Sequence, residues 1–218
     1  GDSDGGVAIT LQNGFTSVAT LQNSDVGADR VLPGVTTAAA KIPANGQVCR
    51  TDTGGTTTLA PLNQAQFDAG RVIATLLEEA GLAVDLCDPS LEQNDACGDF
   101  ALPAFQSMQW QKAVVNAAIN PLTAILGTNN GFFASGNGVG HDLLGTVVNE
   151  VIDVLDAVEE NAADGISASP RWTRSAADRK ARRLRLLELV RSTAMTTAAN
   201  TSSMLSDMER PGAPVELD

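Results

Sequence analysis

The sequence predicts an α/β N-terminal part followed by an all-α C-terminal part. Two observations carry this reading. Up to about residue 87, short β-prone runs alternate with one amphipathic helical segment, the order strand, helix, strand of an α/β layer. From about residue 105 onward, apolar residues recur at three- and four-residue spacing, which is the period of a helix. Between them, residues 88–104 ("DPSLEQNDACGDFALPA") have no clean period and hold two prolines and a glycine, so they read as the connection.

The elements follow in order. "VAITL" (7–11) is a compact apolar strand, broken by the turn signal Asn13-Gly14. "RVLPGVTTAAAKI" (30–42) and "GQVCRTDTGGTTTLA" (46–60) are Thr- and Val-rich and predict further strands. Residues 63–80 show helical spacing through Phe67, Val72, Ile73, Leu76 and Leu77; Gly81 stops that helix and "LAVDLC" gives another short strand. In the C-terminal half, "WQKAVVNAAINPL" (110–122) predicts a helix with a natural break at Asn120-Pro121, because a residue before proline avoids the α region. Residues 141–162 predict a second helix through Leu143, Leu144, Val147, Val148, Val151, Val154, Leu155 and Val158. Ser175 with Asp178 resembles a capping box opening a third. "RKARRLRLLELVRSTAMTTAANTSSMLSDMER" then supplies one long helix or two consecutive ones, with Asn200, Ser203 and Asp207 expected on one helix face.

Composition bounds the function. The chain has 218 residues, 43% of them hydrophobic, and a net charge of −12, which argues against nonspecific binding to nucleic acid or anionic membrane. A small anionic substrate stays open, because local charge decides that. Apolar runs are too short to span a bilayer, and the opening "GDSDGG" has none of the pattern of a signal peptide. A start at Gly instead of Met predicts a processed product or a fragment. Cys49, Cys87 and Cys97 form no C-x-x-C pair; Cys87 and Cys97 have the spacing to close a short loop, but isolated reduced thiols are the favoured reading, which suits a cytoplasmic location.

Histidine chemistry has little material. The single His141, beside Gly138 and Gly140 at a helix start, assembles neither a zinc set nor, without G-x-S-x-G, a serine triad, and reads as solvated or capping. Eight of the fourteen Lys and Arg lie between Arg171 and Arg191. An anion-binding surface competes there with a solvated helix face whose Leu184, Leu187 and Val190 turn inward, and the second is favoured. Only Trp172 interleaves, so base stacking has no support.

The informative feature is a stripe. Lys112, Asn116 and Asn120 stand four residues apart in an otherwise apolar run, and four-residue steps place successive side chains about 40° apart on a helix. Buried amides and ammonium groups are costly unless something meets them. Either the protein satisfies the stripe internally, or a ligand does. Snorkelling of Lys112 and capping by the two asparagines are the bland alternatives.

"ITLQNG", "GVTTAAAKIPANGQVCRTDTG", "WQKAVVNAAINPLTAILGTNNG" and "NTSSMLSDMERPGAPVELD" together resemble the motifs of the ketopantoate reductase (2-dehydropantoate 2-reductase) family, over nearly the whole chain. The resemblance implies a truncated Rossmann-like domain over residues 1–104, followed over 105–218 by a helical domain of the 6-phosphogluconate dehydrogenase C-terminal-like type. It implies NADPH as cofactor, a small 2-oxo acid as substrate, and reduction of 2-dehydropantoate to pantoate on the way to coenzyme A. Lys112 matches the catalytic lysine, and Glu216 matches an acidic residue that contacts substrate and orients that lysine. Asn116 and Asn120 match positions binding the substrate's hydroxyl and carboxylate end, Ser203 a serine that holds the carboxylate, and Asn200 a further asparagine of the site. Asn13 and Asn130 match positions on the cofactor side. The family resemblance brings no metal, and it allows a homodimer.

The departures carry weight. The family's G-x-G-x-x-G fingerprint has no counterpart here, since "GNGVG" (136–140) lies between helical segments instead of after a first strand. The family also continues beyond the position of Glu216, so the chain looks truncated at both ends, and NADPH binding by this stretch alone is expected to be poor. Alternative functions are reduction of another branched 2-oxo acid, or a non-catalytic helical module acting through dimerisation or a partner.

Overall fold

The structure, a computed structural model, describes residues 6–41, 48–50, 54–88, 102–161 and 176–210. The chain divides into two compact units, Gly1–Gln109 and Trp110–Asp218.

In the first unit, β1 (Ala8–Thr10) is followed by α1 (Thr16–Gln22), β2 (Val31–Thr36), β3 (Ala40–Lys41), β4 (Cys49–Arg50), β5 (Thr56–Leu59), α2 (Gln64–Glu79) and β6 (Ala83–Leu86). Four strands form one sheet in the order β1-β2-β5-β6, and β3 pairs with β4 in a separate antiparallel ribbon. β1 runs parallel to β2 and β5 parallel to β6, but β2 and β5 are antiparallel, with Gly34 opposite Leu59 and Thr36 opposite Thr57. The strands expected from 30–42 and 46–60 are thus real, but each run breaks into two pieces that serve different sheets. Val31, Leu32, Leu59 and Ala60 are fully buried, which is why β2 reads as a continuous apolar run.

α2 shows how a polar residue can organise a core. Asn63 caps the helix by accepting from the Gln66 N–H at 2.8 Å. Gln66 is itself buried: its Oε1 accepts from the Leu62 N–H at 2.7 Å and its Nε2 donates to the Asp29 carbonyl at 3.1 Å. The buried face of α2 is Gln66, Gly70 and Ala74, while Val72 and Leu76 are exposed. The expected apolar stripe is therefore rotated, because small side chains let the helix lie close to the sheet. Gly81 ends this segment with φ +77°, a conformation open to glycine at little cost.

The second unit takes in most of α3 (Leu102–Leu126), a short 3₁₀ turn (Asn130–Phe133), α4 (Gly138–Asn161), α5 (Ala176–Thr196) and α6 (Ser203–Met208). Its core combines Val114, Ala118 and Ile119 of α3, Phe133 of the turn, Leu144, Val148, Ile152 and Leu155 of α4, and Leu186, Leu187, Val190 and Ala194 of α5. Pro121 does not end α3, which continues to Leu126. A proline inside a helix forfeits one ladder hydrogen bond and kinks more often than it breaks when packing holds both flanks; here Ile119, Thr123 and Ala124 are buried on either side.

The arginine-rich helix also differs from expectation. Leu184 is 54% exposed, and Arg182 is 1% exposed. Arg182, Leu186, Val190 and Ala194 lie at four-residue spacing and share one face, so Leu184 falls on the other side. Three of the helix's basic side chains bond α4: Arg182 reaches Asp156 at 2.9 Å, Arg179 reaches Asp156 at 3.0 Å and also Asp153, and Arg183 reaches Asn149 at 2.6 Å. Ser175, the expected cap, lies outside the described residues, as do Cys97 and most of the 88–104 connection. Cys49 and Cys87 form no disulfide with each other. Among the described residues no helix is long and apolar enough to cross a membrane.

Candidate functional site

Lys112, Asn116 and Asn120 all lie on α3 and are all half-buried. Val114, Ala118 and Ile119, between them in sequence, are buried in the core. The stripe thus runs along the margin of that core, with successive side chains about 6 Å apart along the axis. Packing of Val114, Ala118 and Ile119 fixes the backbone beneath it.

At its C-terminal end the stripe meets another element. Asn120 Nδ2 donates to Ser203 Oγ at 3.3 Å. Ser203 is the first residue of α6, and its place follows from the residue before it. Ser202 is the N-cap, with extended backbone, and its hydroxyl accepts from the Leu205 N–H at 3.2 Å. Ser202 in turn is held by Thr123, whose Oγ1 lies 2.7 Å from Ser202 Oγ and 2.9 Å from the carbonyl oxygens of both Ile119 and Asn120. Thr123 and Ser202 were not singled out from the sequence. Ser202 carried a legible signal, a serine opening a helical run; Thr123 carried none, because its partner lies 79 positions away.

Asn200 is not on the helix face expected for it. It sits in the turn between α5 and α6, where its N–H donates to the Thr197 carbonyl at 2.8 Å. The reason is local: Thr196 and Thr197 bond their hydroxyls back to the Thr193 carbonyl, and such side-chain competition frays a helix end. Asp207 does lie on α6, paired with Arg210.

Asn130 is buried and holds this turn. Its backbone N–H donates to the Asn200 carbonyl at 3.1 Å and its Nδ2 to Thr197 Oγ1 at 2.9 Å, while its Oδ1 is enclosed without a partner among the described residues. Gly131 follows, its N–H donating to the Ala198 carbonyl at 3.1 Å; a Cβ there would stand 2.9 Å from that same oxygen, so only glycine allows the approach. Hydrogen bonds thus join Asn130 to Asn200 and, separately, Asn120 to Ser203, and the chain from Asn200 to Ser203 links the two pairs. His141, expected to be solvated or capping, is half-buried in the first turn of α4, with Nδ1 enclosed, because that turn packs on Asn130–Phe133. Asn13 belongs to the other unit, where it is exposed just beyond the C-terminal end of β1. Glu216 lies outside the described residues.

Residues 104–218 match the family model described as "Ketopantoate reductase PanE/ApbA C terminal". The chain belongs to the ketopantoate reductase family. The matched stretch contains every candidate residue except Asn13. Among curated relatives, the 2-dehydropantoate 2-reductase of Halobacterium salinarum is 29% identical over 215 residues, covering 99% of this chain and 58% of the relative. That of Archaeoglobus fulgidus is 30% identical over 207 residues, covering 95% of this chain and 56% of the relative. The chain therefore spans little more than half the length of these family members. Among solved structures, D-mandelate dehydrogenase in complex with NADH and anilino(oxo)acetate superposes with a TM-score of 0.63 at 20% identity, covering 93% of this chain and 54% of that one. The 2-dehydropantoate 2-reductase from Porphyromonas gingivalis W83 gives 0.55 at 14% identity, covering 89% and 55%. At these identities the likeness is one of fold.

Proposed function

We propose that the full-length protein reduces 2-dehydropantoate to pantoate with NADPH, and that the helical unit described here supplies the substrate side of the site. The observation that carries this reading is the Asn120–Ser203 contact at the end of the Lys112–Asn116–Asn120 stripe. It gathers an ammonium, two amides and a hydroxyl along one line, the donors that a 2-oxo acid bearing a carbonyl, a hydroxyl and a carboxylate requires.

In this reading Lys112 hydrogen-bonds the C2 carbonyl oxygen and gives it a proton as negative charge develops there. Asn116 and Asn120 engage the substrate's hydroxyl and carboxylate end, and Ser203 the carboxylate. Glu216 contacts substrate and orients Lys112, and Asn13 lies on the nicotinamide side. Asn130 and Asn200 act by holding the turn that leads into α6, which their hydrogen bonds favour over direct contact. Residues 1–104 are read as the last part of a Rossmann-like cofactor domain and 105–218 as the helical domain, in a cytoplasmic enzyme acting as monomer or homodimer.

The described residues do not by themselves fit a whole dinucleotide. The turn from β1 into α1 carries one glycine, Gly14, and the N-cap of α1 is Phe15, with no side-chain cap. A pyrophosphate needs a glycine-rich approach of backbone N–H groups to a helix start. What these residues offer is the substrate's half of the chemistry.

A second reading, reduction of another branched or aryl 2-oxo acid, draws on the fold likeness to D-mandelate dehydrogenase. NADPH oxidation by the full-length protein, measured across a panel of 2-oxo acids, tests both. The expected result is the highest kcat/KM for 2-dehydropantoate. A higher value for another member moves the assignment to that acid, and no turnover with any leaves the non-catalytic helical module.

A further inference from the structure

We propose that Thr123 is a positioning residue: its hydroxyl, bonded to Ser202, holds Asn120 and Ser203 at the spacing the substrate needs. The inference rests on the proposed function for what that substrate is, and on geometry for the rest.

Two rungs join α3 to the start of α6, side by side. The outer rung is Asn120 Nδ2 to Ser203 Oγ at 3.3 Å, between a half-buried amide and an exposed serine. The inner rung is Thr123 Oγ1 to Ser202 Oγ at 2.7 Å, between residues that are 0% and 5% exposed. Together they close a ring. Thr123 reaches the carbonyl of Asn120 as well as Ser202, and Ser202 is bonded to Ser203 through one peptide. Thr123 has a single hydroxyl proton for three neighbours, so the Ser202 proton completes the set whenever Thr123 donates to a carbonyl. Either ordering keeps the two oxygens together.

The rungs differ in what they can do. A hydrogen bond shielded from water is stronger and costlier to break than an accessible one. The outer rung is available for exchange: a carboxylate can take the Asn120 and Ser203 donors in place of their bond to each other. The inner rung stays closed throughout and keeps the two donors in register. Beside it, Ala124, Met204 and Leu205 form a small apolar cluster that presses α6 onto α3. Apolar contact alone is non-directional, so without the inner rung α6 remains docked while its register loosens.

Steady-state kinetics of the full-length protein, with Tm measured alongside, test this. Thr123→Val is expected to raise KM for the preferred 2-oxo acid on the order of tenfold, since small misplacement of binding groups is felt strongly, with kcat per folded enzyme within about threefold. Thr123→Ser keeps the hydroxyl and is expected to restore KM to within about twofold of wild type. Ser202→Gly, which deletes the other hydroxyl while keeping an acceptable N-cap, is expected to repeat the Val result and serves where Thr123→Val does not fold. Unchanged KM in the hydroxyl-free variants overturns the proposal, as does a fall in kcat alone in step with lost folded protein. Where wild type turns over no 2-oxo acid, the proposed function fails separately. The Asn120 side-chain amide resonance then decides: a shift in Thr123→Val and Ser202→Gly but not in Thr123→Ser supports the positioning role, and an unmoved resonance overturns it.

Discussion

The side-chain amide of Asn120 donates to the hydroxyl of Ser203 across 3.3 Å, joining residues 83 positions apart. The contact is solvent-accessible on the Ser203 side, so its net contribution to stability is no more than about 1 kcal/mol. Its interest is chemical, because it holds two donors where an anion can take both. Ser203→Ala is accordingly expected to raise KM for the 2-oxo acid on the order of tenfold while leaving Tm nearly unchanged, by the loss of one hydrogen bond to a charged group. A wild-type KM in that variant removes Ser203 from the substrate site.

Lys112 begins the same stripe. Lys112→Ala in the full-length protein is expected to lower kcat by a factor on the order of 10² to 10⁴, the range for losing a general acid. Cofactor affinity, read by fluorescence titration with NADPH, is expected to stay close to wild type. An undiminished kcat would exclude the lysine as proton donor.

Arg182 is a buried cation paired with Asp156 at 2.9 Å, a carboxylate 29% exposed. Asp156→Ala removes one carboxylate from that buried guanidinium, which is expected to cost on the order of 3 kcal/mol. Replacing Arg182 itself by Met removes the charge with the partner's need for it, and the loss is expected to be smaller. Urea unfolding of the two variants measures the difference, and equal losses would mean the pair is not desolvated as the geometry requires.

Two glycines separate crowding from backbone strain. At Gly81 nothing lies within 4 Å of an added Cβ, but φ is +77°, so Gly81→Ala is expected to cost about 1 kcal/mol through the left-handed conformation alone. At Gly131 the added Cβ would meet the Ala198 carbonyl oxygen at 2.9 Å and Ala198 Cβ at 3.0 Å. Gly131→Ala therefore displaces the turn that leads into α6, with an expected cost of about 1–3 kcal/mol. It should also raise KM, whereas Gly81→Ala should not. Parallel chemical denaturation and kinetics check both halves, and a Gly131→Ala protein with normal KM would uncouple that turn from the site.

Local pattern was enough for much of this. The strand at 8–10, the helices at 64–79 and 138–161, and the Lys112–Asn116–Asn120 stripe follow from spacing and turn residues that act over a few positions. Spacing failed where a tertiary partner changed its meaning. Leu184 and Arg182 exchanged the roles that composition assigns them, because the carboxylate of Asp156 meets the guanidinium from another helix. Asn120-Pro121 did not end its helix, because buried residues on both sides hold it together. Asn200 left the helix through competition from Thr196 and Thr197, a signal that was present in the sequence but weak.

The sequence by itself determined the order of elements, the family resemblance and the residue types available for a 2-oxo acid, since each of these is written in short-range pattern and motif. Only the tertiary structure decided which of those residues meet: that β2 and β5 pair antiparallel, that Thr123 reaches Ser202, and that Asn120 reaches Ser203. The two side-chain contacts span 79 and 83 positions. Chain periodicity carries no information about such pairs, because they form only when the apolar faces of α3, α4 and α5 are buried together and the loop entropy between the partners has been overcome.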